Sequence, residues 1–303
     1  GLTSITAGTV MLGANGDSTN TPLGTTGSGT TVSSGATLDL NGYTLGTAEA
    51  LSLAGTGVGG TSGALTNSSS TAATYSGLIT LTDNATVNAS TSTGNIVLSN
   101  SGTITGSGYT LTLTGSATGS SLASIVGTGA GGITKAGTGT WTLSGASTYT
   151  GTTLISAGTL KLGATGGSTN TPLGTTGSGT TVSSGAASDV YKRQDDASSN
   201  ATAITKTGSN TWTLSGINTF TGNTTISAGV LKISGAGQLA SGSYAGDISV
   251  GSGTTFQYSS TAAQTLSGLL SGSGALTKDT GTSNTLSLSG GSNTYSGAIT
   301  VIK

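Results

Sequence analysis

Apolar residues in this chain stand singly, one position apart, between threonines and serines. Runs such as Thr140-Trp141-Thr142-Leu143-Ser144 and Gly158-Thr159-Leu160-Lys161-Leu162 alternate in this way, which is the period of a strand that buries one face. Gly-Ala, Ser-Gly and Asn-Gly pairs interrupt the alternation at short intervals and predict turns. No stretch carries a helix-period apolar stripe with caps, so all regular structure is predicted to be β.

The strand pattern recurs in long units. GAGGITKAGTGTWTLSGASTYTGTTLISAGTLKLG, from Gly129 to Gly163, returns as ATAITKTGSNTWTLSGINTFTGNTTISAGVLKIS, from Ala201 to Ser234. A third version, GALTKDTGTSNTLSLSGGSNTYSGAITVIK, starts at Gly274. Its markers are Lys135, Lys206 and Lys278, then Trp141, Trp212 and Leu286, then Tyr149, Phe220 and Tyr295. Thr74-Tyr75-Ser76-Gly77 is a partial copy. The lysine spacing of about 72 residues divides into three coils of about 24, the size of one turn of a parallel β-helix, whose turns stack at ~4.8 Å. We therefore expect an all-β solenoid of roughly 12 coils, with small aliphatic residues inside, Thr and Ser outside and Gly at the corners.

Composition narrows the chemistry. Gly, Ser and Thr number 55, 48 and 64 of 303 residues, while Lys, Arg, Asp and Glu together number only 17 and leave a net charge of −1. No basic field exists to hold a nucleic-acid backbone. Cys and His are absent, which removes thiolate and imidazole ligands and every Ser-His-Asp arrangement. No segment is long and apolar enough for a membrane-spanning helix, so no membrane insertion is expected. The chain begins and stops inside repeat motifs and so reads as an internal piece of a longer protein.

A second duplication marks a seam. STNTPLGTTGSGTTVSSGA occupies Ser18 to Ala36 and, letter for letter, Ser168 to Ala186. Beyond Ala36 the first copy continues TLDLNGYTLGTAE, whereas the second turns into ASDVYKRQDDASSN. Residues 189–196 hold 5 of the 17 charges. Asp189-Val190-Tyr191-Lys192-Arg193-Gln194 resembles a translated transposon mosaic-end adaptor, so residues 187–200 are expected to be an artefactual junction in a metagenomic assembly. The other reading is a charged loop between coils.

Candidate chemistry is sparse. The carboxylates are Asp17, Asp39, Glu49, Asp83, Asp189, Asp195, Asp196, Asp247 and Asp279, and the only adjacent pair points to opposite faces of a strand. No catalysis, cofactor or metal is expected. Asp17 and Asp247 read as turn residues that bond their own backbone. Trp141 and Trp212 could stack on sugars, but Leu286 at the same place favours a core position, and Tyr75, Tyr149, Phe220 and Tyr295 follow the same logic. Lys135, Lys206 and Lys278 are expected on exposed turns. Thr-x-Thr runs such as Thr110-Leu111-Thr112 raise an ice- or surface-binding solenoid as the alternative function, although Ser and Gly interrupt the Thr ranks.

The order Lys, Trp or Leu, Ser-Gly, aromatic-Thr-Gly and Ser-Ala-Gly resembles the autotransporter-associated β-strand repeat in passenger regions of bacterial type V secreted proteins. That resemblance implies a right-handed parallel β-helix and a non-catalytic stalk or adhesin, outside the cell or on the outer-membrane surface of a Gram-negative bacterium. Its implied partners are glycans or proteins of host or neighbouring cells. It also implies a translocator barrel elsewhere in the full-length protein. On this reading residues 1–186 and 201–303 are two stretches of one β-helix.

Overall fold

The computed structural model describes residues 1–17, 19–25, 27–164, 170–175, 179–182, 186–190, 203–279 and 284–302. Among the described residues almost everything regular is strand, and the only helical pieces are two three-residue turns. Within each unit nearly all the strands form parallel ladders stacked as in a β-solenoid, about 11 turns among the described residues against the 12 predicted. The chain divides into two compact units, Gly1–Thr153 with Pro172–Gly174, and Leu154–Thr171 with Thr175–Lys303.

In the first unit one ladder runs through Thr3–Ile5, Thr30–Val32, Leu51–Gly55, Ile79–Ala89, Leu111–Gly115 and Ile133–Lys135. A second runs through Thr44–Leu45, Ala73–Tyr75, Ile96–Leu98, Ser120–Leu122 and Thr140–Leu143. Alternation sets the registers. Val87, Leu113 and Lys135 form one inward column and Thr86, Thr112 and Thr134 the column beside it. The register shifts between Leu81 and Ala85, where Thr82, Asp83 and Asn84 turn to solvent.

In the second unit the first ladder runs through Thr180–Val182, Ile204–Lys206, Thr224–Ile226, Ile248–Val250 and Leu270–Gly272. The second runs through Gly158–Leu162, Ala186–Val190, Thr211–Leu214, Val230–Gly235, Thr255–Ser260, Ala275–Lys278 and Ile299–Val301. Trp212, Leu231, Phe256 and Leu276 stack as one inward column of this ladder, all of them buried. A third face carries Ser243–Tyr244, Gln264–Leu266 and Leu286–Leu288.

Corners leave backbone groups that no ladder pairs, and buried amides answer them. Asn67 Oδ1 accepts from Gly42 N at 2.8 Å, and its Nδ2 donates to the carbonyls of Thr71 and Asn95. Gln264 bonds both the amide and the carbonyl of Leu239 on the preceding turn. Of the expected junction, the backbone of Ala186–Val190 is a strand paired with Gly158–Leu162 and Thr211–Leu214. Residues 191–200 lie outside the described residues.

Candidate functional site: the repeat markers

The lysines depart most from expectation. Lys135 and Lys206 are wholly buried, not displayed on turns. Each ends an Ile-Thr-Lys strand at an inward position, so its stem lies in a column that Leu113 fills below Lys135 and Ile226 continues beyond Lys206. The chain then turns through Lys-x-Gly, with Gly137 at φ 67° and Gly208 at φ 83°. Only glycine takes that conformation freely, and the turn aims carbonyls back at the ammonium. Lys135 Nζ donates to the carbonyls of Ala136 and Gly137, at 2.5 and 2.8 Å. Lys206 Nζ donates to Thr207 O at 2.9 Å, Gly208 O at 2.6 Å, Ala228 O at 3.2 Å and Asn210 Oδ1 at 3.3 Å. Burial pulls the Lys135 ammonium down to about 8 and lowers Lys206 as well. Lys278 is half-buried and donates to Asn284 Oδ1 at 2.9 Å.

Trp141, Trp212, Tyr149 and Phe220 are fully buried, so none of them offers a ring face to a sugar. Trp141 Nε1 donates to Thr114 O at 3.1 Å, whereas Trp212 Nε1 has no partner among the described residues. The third version of the repeat does not occupy equivalent places. Lys278 lies in the second ladder, not the first, and Leu286 lies on the third face, half-buried. Tyr295 sits where Thr294 and Ser296 bond the strand Leu270–Gly272.

The aromatic-x-Gly step has a physical reason. Tyr75 Oη donates to Glu49 O at 2.6 Å, Tyr295 Oη to Gly274 O at 2.5 Å, and Tyr244 Oη to Gly222 O. In each case the acceptor is a carbonyl on the preceding turn. A Cβ on Gly77 would stand 1.7 Å from Glu49 O, one on Gly297 1.7 Å from Gly274 O, and one on Gly246 2.7 Å from Tyr244 Oη. Glycine is required because the turn below comes so close. Tyr244, which packs edge-on against Phe220 at 5.5 Å, belongs to this series through Tyr244-Ala245-Gly246. Sequence reasoning missed it because it falls between the 71-residue markers, although the spacing to the glycine would have found it.

The carboxylates do not converge. Asp17 Oδ1 accepts the amides of Thr19 and Asn20, and those backbone bonds lower its pKa. Asp247 accepts the amide of Leu269, on the next turn and not its own. Asp39 is held by the amides of Asn41 and Ser68. Glu49 is buried and takes the hydroxyls of Thr21 and Thr30, the latter at 2.6 Å. Among the described residues no group of three or more acidic side chains could hold a metal, and no helix is long and apolar enough to cross a membrane. Asp195 and Asp196 lie outside the described residues.

These marker-bearing stretches match a family described as the passenger-associated-transport-repeat, at residues 133–162, 204–233 and 280–303. In those stretches, 84 of the 303 residues, the chain is similar to passenger-associated transport repeats. The first two matches open on the Ile-Thr-Lys strands and contain the buried tryptophans, and the third begins just after Lys278. Such repeats indicate an autotransporter passenger domain and imply secretion to the cell surface. No curated protein and no solved structure matches the chain.

Proposed function

We propose that this passenger region is a non-catalytic stalk with an adhesive exterior, displayed at the outer surface of a Gram-negative bacterium. The observation that carries this reading is the division of residues between inside and outside. Every marker aromatic of the first two repeats is spent on the core, while the outward column beside it in the second unit reads Thr205, Thr225, Ser249, Ser271. Hydroxyls without charge suit neutral, hydrogen-bonding partners such as surface glycans. Passenger-repeat chains with a β-solenoid fold are typically non-enzymatic stalks. In the second ladder the outward column Thr213, Lys232, Gln257, Thr277 breaks the Thr ranks that an ice-binding face needs, which favours the stalk over that alternative.

Binding of the purified chain to glycan arrays and to cells tests the proposal. Saturable binding that persists from low to molar salt is expected, because screening removes only charge-carried attraction. Binding that disappears as salt rises would refute the hydroxyl surface as its source, and absence of any saturable binding would leave a passive stalk.

A further inference from the structure

Four corners of the chain share one turn, and two of them carry a ring that the turn does not need. The residue after a glycine donates its amide three residues back: Ala36 N to Ser33 O at 3.0 Å, Tyr43 N to Leu40 O at 2.8 Å, Tyr109 N to Gly106 O at 3.3 Å and Thr254 N to Gly251 O at 3.1 Å. The glycines before them, Gly35, Gly42, Gly108 and Gly253, have φ of 85°, 79°, 81° and 73°. Ala36 and Thr254 are buried, so a small inward residue closes this turn. Tyr43 and Tyr109 are only partly buried, and neither hydroxyl has a partner among the described residues. Tyr295, also partly buried, differs because its hydroxyl is committed to Gly274 O and Ala298 O.

The same polar groups accompany both rings. Thr44 N, next after Tyr43, donates to Asn15 Oδ1 at 2.8 Å, and Thr110 N, next after Tyr109, donates to Asn84 Oδ1 at 2.8 Å. Both asparagines are exposed, and with Oδ1 so held each keeps an Nδ2 that has no partner among the described residues. An exposed carboxylate stands close by in sequence, Asp17 two residues after Asn15 and Asp83 just before Asn84. Each fixes Oδ1 on local amides, those of Thr19 and Asn20 for Asp17 and that of Asn84 for Asp83, and each leaves Oδ2 without a partner among the described residues. The register shift between Leu81 and Ala85 is what turns Asp83 and Asn84 to solvent, and such irregularities re-aim side chains at functional places. Stacking alone does not copy this grouping from turn to turn, since Tyr43 leads into Thr44–Leu45 of the second ladder and Tyr109 into Leu111–Gly115 of the first.

We propose that Tyr43 with Asn15 and Asp17, and Tyr109 with Asn84 and Asp83, are two sites for neutral pyranose residues of glycans. The proposal rests on the adhesive reading of the exterior and names where that adhesion resides. The ring meets the apolar face of the sugar, the amide donates to one hydroxyl, and the carboxylate accepts from its neighbour. Backbone bonds already hold the amide and the carboxylate, so binding orders little that was free. One carboxylate per site also repels a sugar that carries its own, which selects neutral glycans over acidic ones.

The test is binding of the full chain to immobilised neutral oligosaccharides and to their sialylated counterparts. The parent is expected to bind the neutral probes, Tyr43→Leu and Tyr109→Leu each to bind several-fold more weakly, and the double Leu variant not at all, with the β circular dichroism spectrum unchanged. Tyr→Phe at both positions keeps the rings and is expected to keep the binding. Asp17→Asn with Asp83→Asn keeps the Oδ1 bonds, removes the charges and is expected to admit the sialylated probes. Full binding by the double Leu variant would overturn the two sites and leave the adhesive reading standing, whereas a parent that binds no probe would remove that reading and the sites with it. Loss of binding in the Phe pair would overturn the role of the rings, and unchanged rejection of sialylated probes by the Asn pair that of the carboxylates. The Asp positions are exposed, so the Asn pair decides the matter should the Leu variants lose the β spectrum.

Discussion

Trp141 and Trp212 fill the same position of successive repeats, yet replacing each by Phe should cost different amounts. Both side chains are fully buried, so shrinking indole to phenyl removes a similar volume and leaves a similar void at each site. The difference lies in one hydrogen bond. Trp141→Phe deletes the donor that Thr114 O receives at 3.1 Å, whereas Trp212→Phe deletes an N–H that is buried without a partner among the described residues. Losing a made bond costs about 1 kcal/mol, and removing an unmet buried donor recovers part of a desolvation penalty of about 1–3 kcal/mol. Thr114 is half-exposed, so water answers its carbonyl in part, and the lower end applies. The Trp141 change should therefore cost about 1–2 kcal/mol more, roughly a tenfold difference in local opening. Global melting averages over repeats, so the assay is amide hydrogen exchange at Thr140–Leu143 and Thr211–Leu214, with the remaining tryptophan's fluorescence as a control for the untouched site. Exchange at Thr211–Leu214 accelerating as much as at Thr140–Leu143 would refute the argument.

Further outcomes follow from the structure and the sequence. Burial depresses the Lys135 ammonium from 10.5 to about 8, so the folded chain holds fewer protons than the unfolded one between those values and stability should rise with pH there. Tyr75, Tyr258 and Tyr295 shift upward from 10.0 through burial, so stability should fall again above pH ~10 as unfolded tyrosines ionise; melting temperature against pH checks both limbs, and Lys135→Met should flatten the first. Gly246→Ala sets a methyl against the Tyr244 phenol and should destabilise its turns by about 1–3 kcal/mol, read as faster exchange at Ile248–Val250. Thr30→Val takes a hydroxyl from the buried Glu49 carboxylate and should cost about 1.5–3 kcal/mol, measured by urea unfolding. Long reads across codons 186–201 of the source gene are expected to lack the Asp189–Gln194 segment, and finding it intact would remove the junction.

Much of the fold was legible because alternation with period two and recurrence at 71 residues are both direct consequences of stacked turns. Leu286 at their aligned position assigned the tryptophans to the core; both are buried, yet Leu286 itself lies half-buried on the third face, so the alignment pointed to the right place without sharing it. The lysines were misread because charge argues for exposure, and the opposing signal is subtle. It is the glycine two residues on, in Lys135-Ala136-Gly137 and Lys206-Thr207-Gly208, which turns carbonyls inward to meet the ammonium. Asn210 and Asn284 carry a second signal, since both place an amide oxygen on a marker lysine. Tyr244 was hidden by its position between markers, and Glu49 by the distance in sequence, 28 and 19 residues, to the threonines that hold it.

The third repeat shows why likeness in sequence does not fix the face that a residue occupies. From Lys206 the first ladder returns at Ile226, Val250 and Gly272, turns of 20, 24 and 22 residues. Three turns are complete at Gly272, so the next marker, Lys278, lands six residues later on the second ladder. The motif survives this displacement because its chemistry answers a problem found at corners on more than one face. At these corners the turn below offers a carbonyl at close range. An aromatic-x-Gly step meets it with a phenol and no Cβ, as Tyr75, Tyr244 and Tyr295 do against Glu49, Gly222 and Gly274. What repeats along this chain is therefore a way of closing corners, and turn length decides which face each copy closes.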